Sequence, residues 1–260
     1  MTATWILVGL SAACWVVFIY AYLIYPKVLG LLSTKPIRSR ATRLSVSLLF
    51  CAYNENECLP EKIENLRDLK RAWPDLEILI YDDASTDGTY ELLAGAGDLL
   101  TVVRGPGRTG KAAGMKRLVA QATGQVLVFT DANILLSADI ISRLLPYYGD
   151  PEVGGVCGTI KTSAQRDSVT SNVGSVFLAL DHELQILESR TGNVMGASGG
   201  LFSVRRELYP EFPDTVQDDF TVSMSVIFRG MRLIKAPDVV GYEKTVARRE
   251  EELKRKVRIG

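Results

Sequence analysis

Gln125-Val-Leu-Val-Phe-Thr-Asp-Ala-Asn133 is the stretch that decides the fold: a short apolar run that ends in two oxygen-bearing side chains, Asp131 and Asn133, one residue apart. A run of this length closed by polar residues predicts a buried strand with both side chains at its C-terminal tip. Residues i and i+2 of an extended backbone point the same way, so the tip offers two oxygens to one hard divalent cation. An aspartate after a strand is more often a turn former or helix cap, so the motif does not decide by itself.

Outward from this stretch the chain alternates apolar runs with amphipathic helical segments. The runs are Ser45–Ala52, Leu76–Tyr81, Leu99–Arg104 and Gln125–Thr130. Alternation of this kind predicts an α/β fold around a mainly parallel central sheet, and such sheets bind ligands beyond the carboxyl ends of their strands. Polar groups stand at each of those exits: Tyr53-Asn54-Glu55, then Asp82-Asp83, then a glycine-rich loop with Lys111, then Asp131-Ala132-Asn133. Asp87 and Ser137 are read as ordinary helix caps for Gly88–Ala94 and Ala138–Leu145. The loop Gly105–Ala112 nearly matches the P-loop pattern, which keeps a nucleotide hydrolase open as an alternative. Ala112 stands where that motif needs a hydroxyl, and the loop follows the third strand-like run.

Composition narrows the classes. The 260 residues are 47% hydrophobic and 23% charged, enough for one large core with an appendage. Thirty basic and thirty acidic side chains cancel, which gives no case for a nucleic-acid partner. Cys14, Cys51, Cys58 and Cys157 show no CxxC spacing and are read as reduced core thiols. His182 is the one histidine and is read as structural, so carboxylates are the expected catalysts.

Residues 1–26 carry no charged side chain, and Thr4–Tyr25 is almost wholly apolar, long enough to cross a hydrocarbon core of ~30 Å as a helix. Trp5 at one end and Tyr20, Tyr22 and Tyr25 at the other suit an interfacial aromatic belt. Lys27, Lys35, Arg38, Arg40 and Arg43 follow with no acidic residue between them, in a basic juxtamembrane linker over 27–44. By the positive-inside rule the domain over 45–245 then faces the cytoplasm from the cell membrane. Residues 246–260 are expected to form a basic amphipathic helix.

Taken together, Phe50-Cys-Ala-Tyr-Asn-Glu55, Asp82-Asp-Ala-Ser-Thr-Asp-Gly-Thr89, Gly110-Lys-Ala-Ala-Gly-Met115 and Asp131-Ala-Asn133 resemble glycosyltransferase family 2, the inverting enzymes of GT-A fold. The resemblance extends from about Ser45 to the C-terminus. It implies a sugar-nucleotide pocket with Ala52, Tyr53 and Glu55 around base and ribose, and Asp82 accepting from the base. Lys111 would lie near the phosphates, and Asp131 with Asn133 at a Mg2+ or Mn2+ ion and the diphosphate. It places Gly199 and Gly200 by the donor sugar, and Asp218-Asp219 at the start of the helix Phe220–Phe228, with Asp219 as general base. Arg255-Lys-Val-Arg258-Ile259 looks like a divergent Gln-x-x-Arg-Trp motif, so Arg258 is a candidate diphosphate contact. Cys51 replaces the usual proline, Lys116 the usual asparagine, and Asn133 the common aspartate. The implied activity is transfer of a sugar from a nucleoside diphosphate, UDP-linked, to a lipid-linked or glycan hydroxyl. A nucleotidyltransferase and an inactive scaffold stand as further alternatives.

Overall fold

The computed structural model describes residues 2–162, 169–197 and 199–243. The chain opens with helix α1 (Thr2–Ile19), a wider turn over Tyr20–Ile24, and α2 (Tyr25–Leu31). The helical run therefore passes Pro26 instead of stopping there. In the wide turn the Tyr25 N–H reaches back five residues to the Tyr20 carbonyl, which makes room for a ring that cannot donate. Thr4–Leu31 is long and apolar enough to cross a membrane, and Trp5, Leu7, Trp15 and Phe18 are exposed along it.

Residues 32–44 are not a loose tether. The Lys35 N–H donates to the Arg190 carbonyl at 2.7 Å, and the Arg40 N–H to Pro146 at 3.0 Å. The Arg38 N–H donates to the Asp150 carboxylate at 2.9 Å. The basic side chains of this strap thus stand out from a backbone fastened to the domain.

Among the described residues eight strands follow: β1 (Val46–Ala52), β2 (Glu77–Asp82), β3 (Thr101–Arg104), β4 (Val126–Thr130), β5 (Ile134–Leu136), β6 (Val153–Thr162), β7 (Leu201–Arg205) and β8 (Arg232–Glu243). Between them lie α3 (Leu59–Ala72), α4 (Thr89–Ala94), α5 (Lys111–Gln121), α6 (Ile140–Leu144), α7 (Val169–Thr191) and α8 (Asp218–Phe228). They form one sheet in the order β3-β2-β1-β4-β7-β6-β8-β5. The first four strands pair in parallel, and β7 enters antiparallel between β4 and β6. β6 and β8 are again parallel, with β5 antiparallel at the edge.

Strand alternation builds two cores. Val46, Leu48, Phe50 and Ala52 of β1 face the α3, α4 and α6 side, with Leu66, Leu93 and Ile140. Leu49 faces the opposite side, with Met115 and Leu118 of α5 and Val222 and Val226 of α8. β1 and β4 are neighbours although β2 and β3 separate them in sequence, so the sheet's switch point lies between their tips. Ala52 ends β1, and Asp131 directly follows the last residue of β4.

Candidate active site

The exits of β1 and β2 are tied to each other before any ligand is considered. Asn54 and Ala84 both take left-handed backbone, at φ 54° and 60°. For an alanine this costs on the order of 1 kcal/mol, so neighbouring bonds must hold it. The Asn54 N–H donates to Ser85 Oγ at 3.0 Å, the Thr86 N–H to Asn54 Oδ1 at 2.9 Å, and the Glu55 N–H to Thr89 Oγ1 at 2.8 Å. Ala52 is buried and its carbonyl accepts from the Asp83 N–H at 2.9 Å. The Arg108 guanidinium lies 3.5 Å from the centre of the Tyr53 ring.

Asp82 is fully buried at the tip of β2. One carboxylate oxygen accepts from the Ser85 N–H at 3.3 Å. The other stands 3.7 Å from Arg104 Nε and has no hydrogen-bond partner. Buried carboxylate oxygens normally accept a hydrogen bond, so this one has acceptor capacity to spare.

The glycine-rich loop does not form a phosphate cradle of the P-loop kind. Its Thr109 and Gly110 N–H groups donate to Asp83, at 2.6 and 3.0 Å, so a carboxylate holds the amides that a P-loop turns on phosphate. What the loop delivers is Lys111, at the start of α5. Lys111 Nζ donates to Asp131 Oδ1 at 2.8 Å. Burial alone would lower the Lys111 pKa, but Asp131 and Asp218 outweigh it and raise the ammonium above its ordinary value.

The glycine pair before β7 closes the constellation. A methyl at Gly199 would stand 2.6 Å from Asp219 Oδ2 and 3.4 Å from Lys111 Nζ. One at Gly200 would come within 3.8 Å of Asp131 Oδ2. Asp131, Lys111 and Asp219, far apart in sequence, thus surround one small-residue corner. Asp219 is the second residue of α8, and its Oδ1 accepts the Phe220 N–H at 2.8 Å, as an acidic side chain in a first helical turn does. Asp218 is buried, and burial followed by the Asp219 charge raises its pKa against the opposing pull of Lys111.

Asn133 stands apart from this corner in its bonding: its amide donates to Glu243 Oε1 at 3.3 Å. Among the described residues no three carboxylate, histidine or cysteine side chains converge as a metal cage. A site of one protein carboxylate completed by substrate phosphates and water is ordinary for Mg2+ or Mn2+, and Asp131, about a third exposed at 35%, fits that role. Lys116 donates to the Phe212 carbonyl at 2.9 Å and pairs with Asp214, pointing away from the corner. His182 meets Thr159 Oγ1 at 3.0 Å, consistent with a packed polar group. The four cysteines are free, with Cys157 buried and Cys14 exposed on the apolar helix, not in the core. The helix expected after Asp87 begins at Thr89 with Gly88 as its N-cap, and Asp87, one residue earlier, accepts the Thr89 N–H at 3.0 Å; the helix expected after Ser137 begins at Ile140, behind Asp139. Arg258 and the helix expected over 246–260 lie outside the described residues.

Sequence reasoning named Asp83 only as a polar group at a strand exit, without a role, and passed over Arg108. Asp83 was legible as the second of two acidic residues at a strand exit. Arg108 carried no signal beyond its place in a loop.

Comparison with known proteins agrees with this fold. The family model for glycosyl transferase family 2 matches residues 47–212. An N-acetylglucosaminyltransferase of Rhizobium leguminosarum bv. trifolii is 28% identical over 129 residues, 48% of this chain and 71% of that protein. A beta-monoglucosyldiacylglycerol synthase of Nostoc is 23% identical over 189 residues, and there the match spans 71% of this chain but 40% of the synthase. The mannosyltransferase of Pyrobaculum calidifontis, solved with GDP-Man and Mn2+, superposes with a TM-score of 0.79 at 25% identity, covering 95% of this chain and 70% of that one. The fold is the GT-A fold, the chain is a glycosyltransferase, and it belongs to glycosyl transferase family 2.

Proposed function

We propose that this chain transfers a sugar from a nucleoside diphosphate donor to a hydroxyl of a lipid-linked or glycan acceptor at the cell membrane, inverting the anomeric centre. The observation that carries the reading is the corner where Asp131, Lys111 and Asp219 meet around Gly199–Gly200. One side offers a carboxylate and an ammonium to a diphosphate. The other offers a second carboxylate to an incoming hydroxyl.

In this reading Ala52, Tyr53 and Glu55 hold base and ribose, and the spare acceptor oxygen of Asp82 takes an N–H of the base. A uracil N–H suits it. A guanine N–H does so equally, and the GDP-Man carried by the Pyrobaculum neighbour keeps guanosine as the second donor class. Asp131, with Asn133 as the weaker partner, would hold Mg2+ or Mn2+, whose charge neutralises the leaving diphosphate. Lys111, and Arg258 from the C-terminal segment, add positive charge to that diphosphate.

Asp219 accepts the proton of the acceptor hydroxyl as its oxygen bonds to the anomeric carbon. The bond to the diphosphate breaks on the opposite face, and the nucleoside diphosphate leaves. Asp218 supports this carboxylate from the buried side. The apolar helix Thr4–Leu31 and the basic strap after it support a membrane-anchored domain on the cytoplasmic side.

A panel of UDP- and GDP-sugars, assayed for nucleoside diphosphate release with membrane lipid extracts as acceptors and with Mn2+ or Mg2+, tests the proposal. Release from one donor is the expected result. Thermal stabilisation by ATP alone would favour the hydrolase reading, and pyrophosphate release a nucleotidyltransferase. A folded protein that neither transfers nor hydrolyses any donor would be a scaffold.

A further inference from the structure

Lys62 is fully buried, on a helix that carries the nucleotide-side loop at its N-terminus and reaches the opposite end of the site with its inner face. The buried positions of α3 are Leu59, Lys62, Ile63, Leu66 and Leu69, so the lysine stands in the middle of an apolar stripe. Its ammonium donates to the carbonyl of Ile134, the residue directly after Asp131-Ala132-Asn133, and lies 5.1 Å from the Phe50 ring centre.

Ile134 opens β5, the last strand of the sheet, which pairs with β8 alone. An unpaired edge leaves backbone groups that need partners, and α3 supplies them. One helical turn beyond Lys62, Asn65 does this with a neutral amide: it donates to the Leu136 carbonyl and accepts from the Leu136 N–H, both at 2.8 Å. A brace therefore does not require a charge. Burying an ammonium costs several kcal/mol, and one ring contact returns only part of that. The remaining compensation is electrostatic. Burial pulls its pKa down to about 7, and the Asp131 carboxylate is the charge that opposes this most.

We propose that Lys62 is a positioning residue for the donor diphosphate, fixing the Asp131–Asn133 turn through the Ile134 carbonyl and, in its protonated form, adding positive charge to the field at Asp131. The inference rests on the glycosyl-transfer reading above. It couples the loop that binds the nucleoside to the turn that faces its phosphates, because both are fastened to α3.

The test uses the full chain in detergent with Lys62→Met, Lys62→Gln and Asn65→Leu. Calorimetry with UDP and GDP in EDTA, donor KM and kcat, and thermal midpoint are read for each. Methionine fills the same apolar channel, so Lys62→Met should keep or raise the midpoint. Nucleoside diphosphate Kd and donor KM should rise about tenfold, the lower end of what loss of a supporting contact costs, while kcat at saturating donor stays within about threefold. Lys62→Gln, which can restore the Ile134 bond without the charge, should recover part of the affinity.

Wild-type Kd and KM in either folded Lys62 variant would overturn the proposal. So would a Lys62→Met that loses midpoint, kcat and affinity together as Asn65→Leu does, which is the behaviour of a plain brace. If Lys62→Met does not fold, Lys62→Gln decides by the same Kd. Failure of the wild-type chain to bind UDP, GDP or any nucleotide sugar would refute the underlying function instead, and this inference with it.

Discussion

The two halves of the sheet solve different problems. β3-β2-β1-β4 is parallel and short-stranded, and the loops at its exits are bound to one another: Asp83 holds the loop before Lys111, and Asn54 holds Ser85 and Thr86. β7-β6-β8-β5 is mixed in direction, with a strand of 12 residues, and it presents charge: Asp218 buried with a raised pKa, and Asp219 against Gly199. The first half holds a shape ready for a ligand. The second carries a buried acid beside an exposed one, and Asp131 sits on the seam between them, directly after β4 beside β7.

This contrast is broken most severely at Asp219. If the base belongs to the second half alone, Asp219→Asn should lower kcat by about a thousandfold, the middle of the range for a general base. Nucleoside diphosphate affinity should stay within about twofold. Nucleoside diphosphate release and calorimetry on one preparation measure both. A matching loss of affinity would move Asp219 into the donor half.

Asp131→Ala probes the seam. The strengthening of UDP or GDP binding by Mn2+ should disappear, a loss of about tenfold or more relative to the Mn2+-loaded wild type. Calorimetry with and without Mn2+ decides it. Persistent Mn2+ sensitivity in the variant would place the ion elsewhere.

A paired glycine substitution sharpens the comparison further. The methyl of Gly199→Ala would press on Asp219 Oδ2 at 2.6 Å, whereas Gly107→Ala in the donor-side loop meets nothing within 4 Å. A displacement of a few tenths of an ångström at the base should lower kcat about tenfold, since about 1 Å costs on the order of a hundredfold. Gly107→Ala should leave kcat unchanged. Equal effects from the two would mean that Gly199 does not set the carboxylate.

The same division explains what the sequence disclosed. The parallel half was legible because each strand is a compact apolar run closed by polar residues, and β1, β2, β3 and β4 fall within two residues of the expected runs. β8 was not, because Pro237 and Asp238 interrupt it. The register jumps from Cys157 opposite Lys235 to Thr159 opposite Val240, so the proline occupies a bulge where no ladder N–H is needed. β5, three residues long, is too short to show alternation and gains its identity from β8 and α3. Lys62 hid for the opposite reason: a lysine on an amphipathic helix reads as solvated, although its spacing from Leu59 and Leu66 put it on the apolar face. The corner of Asp131, Lys111 and Asp219 was visible only as a resemblance, because spacing in sequence says nothing about which loops meet.

The smallest effect tests whether the acceptor half stores charge at a cost in stability. Burial first, then Asp219, raises the Asp218 pKa, with Lys111 opposing. The native state therefore holds the Asp218 proton more tightly than the unfolded chain, and the associated stability is fully present below the unfolded pKa of about 3.9. It is lost as pH rises through the folded value, and at neutral pH the ionised carboxylate is a net penalty. Asp218→Asn removes the penalty, so its thermal midpoint should exceed wild type at pH 7.5, by the few degrees that about 1 kcal/mol gives in a domain of this size, and converge with it near pH 3.5. Adding Mn2+ with nucleoside diphosphate should narrow the neutral-pH gap if a cation then stands close enough to share the charge. A gap of equal size at both pH values would mean that Asp218 acts through packing, and that the charge stored beside β7 belongs to Asp219 alone.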